Sequence, residues 1–192
     1  MTLHASALSG GFADPATESA RAFREVLQAL SRPGQPRSVD GAAPPAPLSP
    51  AAGTIALVLF DRTTPVLLAG HHDCEAVRDW LTFHTGAPLT TDPSEAIFAL
   101  ADWSNLSPIF QSFPIGTPEY PDRATTLIVD GVADAAPVVI SGPGLAEPRD
   151  FALPEPQLFA ANAAQFPLGL DVFFTDGAQI TGLPRSTQIE VR

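Results

Sequence analysis

The chain has 192 residues, 45% of them apolar and 16% charged, the balance of a globular protein long enough to bury about 70% of its unfolded surface in one domain. Its 21 acidic side chains outnumber ten basic ones for a formal charge of −11, a field that repels phosphate backbones and anionic membranes and so argues against nucleic acid as a partner. All the basic residues are arginine, which excludes a Schiff-base lysine, a pyridoxal-phosphate anchor and a Walker-type phosphate loop. Cys74 is the single cysteine, so an intrachain disulfide, a CxxC redox pair and a self-contained iron–sulfur cluster are excluded too. No basic-then-apolar leader opens the sequence, and no apolar run approaches the ~20 residues of a membrane helix. A cytoplasmic protein is expected.

Residues 1–12 are expected to be flexible. Asp14-Pro15 then sets an N-cap before a proline at the first helical position, and Phe23, Val26, Leu27 and Leu30 recur at helical spacing, predicting a helix over about residues 15–30. Ser31-Arg32-Pro33-Gly34 stops it. Pro44, Pro45, Pro47 and Pro50 deprive residues 41–50 of ladder donors, so this stretch reads as a surface loop within one domain spanning 1–192. Ser49-Pro50 repeats the cap signal, and residues 55–60 suit either a buried helix or a strand. A strand is expected at 64–69, ended by Gly70.

Asp73 reads as the N-cap of a second clear helix, with Val77, Trp80, Leu81 and His84 on one face and Gly86-Ala87-Pro88 as its stop. Residues 97–101 and 125–129 read as strands on either side of a short helix near 107–112. Asp130-Gly131 reads as a turn, 138–141 as a strand and 157–165 as a helix. Asp176-Gly177, between apolar runs at 170–175 and 178–183, has the form of a tight two-residue hairpin. These elements predict a three-layer α/β/α fold on a mixed, partly antiparallel sheet.

Few segments carry recognisable chemistry. His71-His72-Asp73-Cys74 offers four ligand types in a row, but adjacent side chains are expected to diverge, so no metal site is predicted there and Asp73 is read as a cap. His84, next to Thr85 and Gly86, either caps the carbonyls of its own helix or contacts a ligand or partner. Ser141-Gly142-Pro143-Gly144 lacks a dinucleotide fingerprint and reads as an ordinary turn. Arg185, Ser186 and Thr187 place a forked cation beside two hydroxyls, suited to an oxyanion, a subunit contact or a structural ion pair. No GxSxG elbow is present, and the carboxylates are too scattered for a glycosidase pair to be named.

Four segments, taken together, resemble the H subunit of the bacterial carbon–phosphorus lyase system, the PhnH family. They are Phe23-Arg24 with Leu27, Ala29 and Ser31-Arg32-Pro33-Gly34; the run from Phe83 and His84 to Leu89; Phe166-Pro167-Leu168-Gly169-Leu170-Asp171; and Pro184-Arg185-Ser186-Thr187 through Val191. The resemblance runs from about Phe12 to the C-terminus. It implies a fold similar to pyridoxal-phosphate-dependent transferases with the cofactor missing, and a homodimer that joins G, I and J subunits in organic phosphonate catabolism. There a phosphonate displaces adenine from ATP to give ribose 1-phosphonate 5-triphosphate, a step assigned to the I subunit with its partners. The resemblance supplies no catalytic residue, so a supporting subunit is expected that meets phosphonate or ATP through the complex, without cofactor or metal of its own. Arg32, His84, Thr85, Arg185, Ser186 and Thr187 are the candidate ligand or partner contacts. The alternative is a free-standing enzyme or small-anion binder using Arg185, Ser186, Thr187 and His84.

Overall fold

The computed structural model describes residues 8–192 except Val132. Helix α1 (Pro15–Ser31) begins as its sequence predicts, with the Asp14 carboxylate accepting the Thr17 amide ahead of Pro15. After the short strand β1 (Arg37–Ser38), helix α2 (Pro50–Leu59) is capped by the Ser49 hydroxyl. The ambiguous apolar run is therefore helical, and it is buried along most of its length. Strand β2 (Val66–Leu68), helix α3 (Glu75–Thr85), strand β3 (Leu89–Thr90) and strand β4 (Phe98–Ala101) follow. A single-turn helix α4 (Trp103–Leu106) runs on into a 3-10 segment, Ser107–Ser112. The remainder is β5 (Thr126–Asp130), β6 (Ala136–Ser141), β7 (Arg149–Leu153), helix α5 (Pro156–Ala163), β8 (Asp171–Asp176), β9 (Gln179–Leu183) and β10 (Gln188–Val191).

Seven strands form one mixed sheet in the order β1-β9-β8-β5-β4-β2-β3. Strands β8, β5, β4, β2 and β3 pair in parallel, whereas β9 turns back on β8 and β1 pairs antiparallel with β9. Because side chains alternate across a strand, each central strand feeds two cores. Phe98, Leu100, Ile128 and Phe173 face a cluster with Val26 of α1, Ile55 of α2 and Trp80 of α3. Ala99, Leu127, Val129 and Val172 face the opposite cluster, with Trp103 of α4 and Phe159 of α5. Runs apolar on both faces are what a sheet covered on both sides requires.

The outer layers differ from the expected pair of helical layers. One is helical, α1 to α3, but the other combines α4 and α5 with a second, antiparallel sheet in the order β10-β6-β7. Three further local expectations need correction. The N-cap position of α3 is Cys74, without a side-chain cap, because Asp73 is drawn instead into a two-pronged ion pair with Arg78 at 2.5 and 2.7 Å. On α1, Val26 is buried but Phe23 and Leu27 are exposed. Residues 8–12, expected to be flexible, are docked: the Ser9 carbonyl accepts the Trp80 indole N–H at 2.9 Å, and the Gly10 carbonyl accepts the Ala43 amide at 2.8 Å. Residues 1–7 lie outside the described part. The 41–50 loop follows the surface but is anchored by buried Ala42 and Leu48.

Close approach of α1 to the sheet depends on Gly182 in β9, where a Cβ would lie 2.5 Å from the Ala29 carbonyl oxygen. Gly182→Ala must push α1 outward, and overpacking of this kind costs about 1–3 kcal/mol. A fall in the urea midpoint without a change in slope is the expected result.

Candidate functional site

From β2 the chain leaves through α3 to β3 at one edge, and from the adjacent β4 it leaves through α4 to β5 in the other direction. The helices also lie on opposite faces, α3 with the first core cluster and α4 with the second. Such a divergence opens a crevice beyond the carboxyl ends of the strands, the usual ligand position in an open α/β sheet. Here the crevice is a cleft of about 650 Å³ with His71, Asp102, Trp103, Asp130, Asp134 and Glu155 in its lining.

Its first wall is the 3-10 turn Gly70–His72 after β2. Gly70 has a φ of 59°, and a Cβ there would lie 2.4 Å from the side-chain nitrogen Nδ2 of Asn105, so glycine suits both the backbone of the turn and its close approach to α4. The turn brings the rings of His71 and His72 to a centroid separation of 4.3 Å. The two side chains therefore do not diverge as expected for neighbours in an extended chain.

His72 points inward and is 1% exposed. Its Nε2 lies 3.1 Å from Asp130 Oδ2, which also accepts the Ser49 amide at 2.9 Å, while Asp130 Oδ1 accepts the Thr175 hydroxyl at 2.7 Å. Burial pushes the Asp130 carboxyl toward a higher pKa, but hydrogen bonds from His72, Ser49 and Thr175 outweigh it and hold the group below the ordinary aspartate value. Asp130 thus ties β5 to β8, to the start of α2 and to the turn after β2.

His71 is exposed, and its Nδ1 lies 3.0 Å from Asp102 Oδ2. Asp102 caps α4, its Oδ1 accepting the Asn105 amide at 3.0 Å, the Asn105 side chain at 2.8 Å and the Ser104 hydroxyl at 2.7 Å. Burial raises its pKa, but bonds from Ser104 and Asn105 and the neighbouring His71 bring it below the ordinary value. Across the cleft Glu155 has a φ of 44°, unusual for a non-glycine residue, and its Oε1 accepts the Trp103 indole N–H at 3.0 Å and the Ser107 hydroxyl. Four carboxylates line the cleft and no arginine does among the described residues. Its charge suits a cation, and His71 beside Asp102 suits proton transfer.

The residues singled out from sequence lie elsewhere and do not converge. His84 packs tilted against Trp80 with ring centroids 4.8 Å apart and Nε2 3.2 Å from the Ser9 carbonyl, so it holds the N-terminal segment rather than capping its own helix. The Thr85 hydroxyl donates to the Leu81 carbonyl at 2.7 Å and accepts the Ala87 amide. Arg32 is the C-cap of α1 and lines a separate cleft with Glu147 and Arg149. Arg185 grips Asp171 through Nε at 3.1 Å and Nη2 at 2.6 Å, and its Nη1 donates to the Pro121 carbonyl at 2.6 Å. Of the three roles its sequence context suits, the structural ion pair is the one formed. Ser186 is half-buried and Thr187 fully buried in the same turn. The cleft carboxylates went unnoticed in the sequence, although Asp102 and Asp130 each end an apolar strand, where an acid is conspicuous.

Comparison with known proteins decides the family. The family described as bacterial phosphonate metabolism protein (PhnH) matches residues 10–190. The chain is also 39% identical, over 198 residues, to the alpha-D-ribose 1-methylphosphonate 5-triphosphate synthase subunit PhnH of Rhizobium meliloti (strain 1021), with 99% of each chain covered. The chain belongs to the PhnH family. The PhnH match takes in all the cleft residues and, but for Val191, every segment from which the resemblance was read. Among the described residues no helix is long and apolar enough to cross a membrane.

Proposed function

We propose that this chain is the H subunit of an alpha-D-ribose 1-methylphosphonate 5-triphosphate synthase in bacterial phosphonate breakdown, a cytoplasmic homodimer assembled with G, I and J subunits. The end-to-end match to a relative of that name, 39% identical with 99% of each chain covered, carries the reading. Its role is supporting rather than catalytic. A mixed sheet without any lysine is consistent with a pyridoxal-phosphate-transferase-like fold that has lost its cofactor. ATP and phosphonate, both anionic, would be met through the complex, since the cleft at the strand ends is lined by carboxylates and Arg185 is occupied by Asp171 and Pro121. The same occupancy favours a supporting subunit over a free-standing enzyme or small-anion binder built on Arg185, Ser186, Thr187 and His84.

Deleting the gene is expected to abolish growth on methylphosphonate as sole phosphorus source while leaving growth on phosphate intact. A tagged chain is expected to co-elute with its cognate G, I and J subunits. Normal growth of the deletion strain on methylphosphonate, or failure to co-elute, would overturn the assignment.

A further inference from the structure

We propose that His71, His72 and Asp102 form a binding site for a divalent first-row transition metal ion, at the divergence of β2 and β4. One ligand atom from each of the three lies within 4.8 Å of the others. The strongest sign is on His72, whose Nδ1 is buried with no hydrogen-bond partner among the described residues. A buried ring nitrogen left unpaired is costly and calls for an explanation.

The surroundings supply one. Asp130 also accepts from Ser49 and Thr175, so as an acceptor-only carboxylate it places the hydrogen of His72 on Nε2 and the lone pair on Nδ1. A carboxylate holding the far nitrogen of an imidazole is the outer-shell arrangement that orients metal-binding histidines. Asp102 is prepared in the same manner. Its Oδ1 takes all three hydrogen bonds from Ser104 and Asn105, leaving Oδ2 for His71 or an ion. Bonds of about 2.0–2.2 Å require the three donors to close in slightly, and His71, whose side chain is 58% exposed, is free to rotate.

Charge agrees with this assignment, since Asp134 and Glu155 add two more carboxylates to the cleft. Two imidazoles with one carboxylate favour zinc, cobalt, nickel or iron over magnesium and calcium, which prefer all-oxygen ligands. Three protein ligands also leave a coordination position open toward the cleft. The inference stands on this geometry alone and does not depend on which complex the chain serves.

The test uses the full-length chain stripped with a chelator and titrated calorimetrically with Zn2+ in the presence of excess Mg2+, with metal content measured after desalting. One equivalent of Zn2+ should be retained. His71→Ala and Asp102→Asn, which leave the buried network and the α4 cap in place, should each weaken binding by at least about 100-fold, because losing even an outer-shell partner costs about 10–100-fold. His84→Ala should bind as the parent does. Absence of stoichiometric Zn2+ uptake, or equal uptake by His71→Ala and Asp102→Asn, overturns the proposal. Circular dichroism of each variant separates lost ligation from lost fold.

Discussion

Asp130→Ala is expected to lower stability by about 3–5 kcal/mol, the range for breaking a buried charged network by removing one partner. The carboxylate is the common acceptor for the Ser49 amide, the His72 ring and the Thr175 hydroxyl. Truncation strands the His72 ring and the Ser49 amide and leaves the Thr175 hydroxyl only the Val129 carbonyl at 3.3 Å, in a region where Thr175 is 2% and His72 1% exposed, and each buried unsatisfied group costs about 1–3 kcal/mol. Water entering the new space recovers part of that sum. For a domain of this length 1 kcal/mol shifts the melting temperature by about 2–4 °C, so a drop of roughly 10 °C is expected. Asp130→Asn keeps one acceptor oxygen and should recover part of the loss. A change below about 1 kcal/mol for the alanine variant would mean that the α2 start, the β2 turn and β8 are not held through this residue.

Elements governed by local chemistry were legible in the sequence. Asp14-Pro15 announced a helix, and Ser49-Pro50 offered one for a run that could also have been a strand, because a capping oxygen and a proline at the first position act within one turn. The hairpin between β8 and β9 was also legible, though displaced by one residue. Asp176 pairs with Gln179, so the turn residues are Gly177 and Ala178, with Gly177 at a φ of 55°. What escaped depends on distant partners. Strand β7, Arg-Asp-Phe-Ala-Leu, shows no firm apolar alternation, and β10, Gln-Ile-Glu-Val, alternates over only four largely exposed residues, a run too short to stand out. They exist because β6 offers them two edges. Without them the second outer layer reads as purely helical, which is why α/β/α described only one side.

The site escaped for a related reason. His71, Asp102 and Asp130 are far apart in sequence and meet because parallel register aligns the strand ends, Leu68 beside Leu100 and Ala101 beside Val129. No spacing rule anticipates that meeting. Divergence of His71 from His72 was a sound expectation for an extended chain, but a 3-10 turn made possible by Gly70 sets the rings side by side. Arg185 was conspicuous in the sequence for its chemistry, and its partner Asp171 lay in one of the family-like segments, yet only the β8–β9 pairing brings the two together.

That pairing sets the second large expected effect: Arg185→Ala should destabilise the chain by about 2–4 kcal/mol, somewhat less than a fully buried pair because Asp171 keeps some solvent contact. The side chain of Arg185 is 12% exposed and makes three hydrogen bonds, two to Asp171 and one to the Pro121 carbonyl. It therefore ties the turn between β9 and β10 both to the start of β8 and to the segment preceding β5. Lysine should rescue little, since a single ammonium cannot reproduce the fork that spans both carboxylate oxygens. The measurement that separates a strut from a partner contact combines denaturant unfolding with co-elution at a temperature well below the variant's melting point. A strut predicts lowered stability with assembly retained once the chain is folded. Full stability with lost assembly would instead make the guanidinium a surface for another subunit, and the intrachain fork incidental.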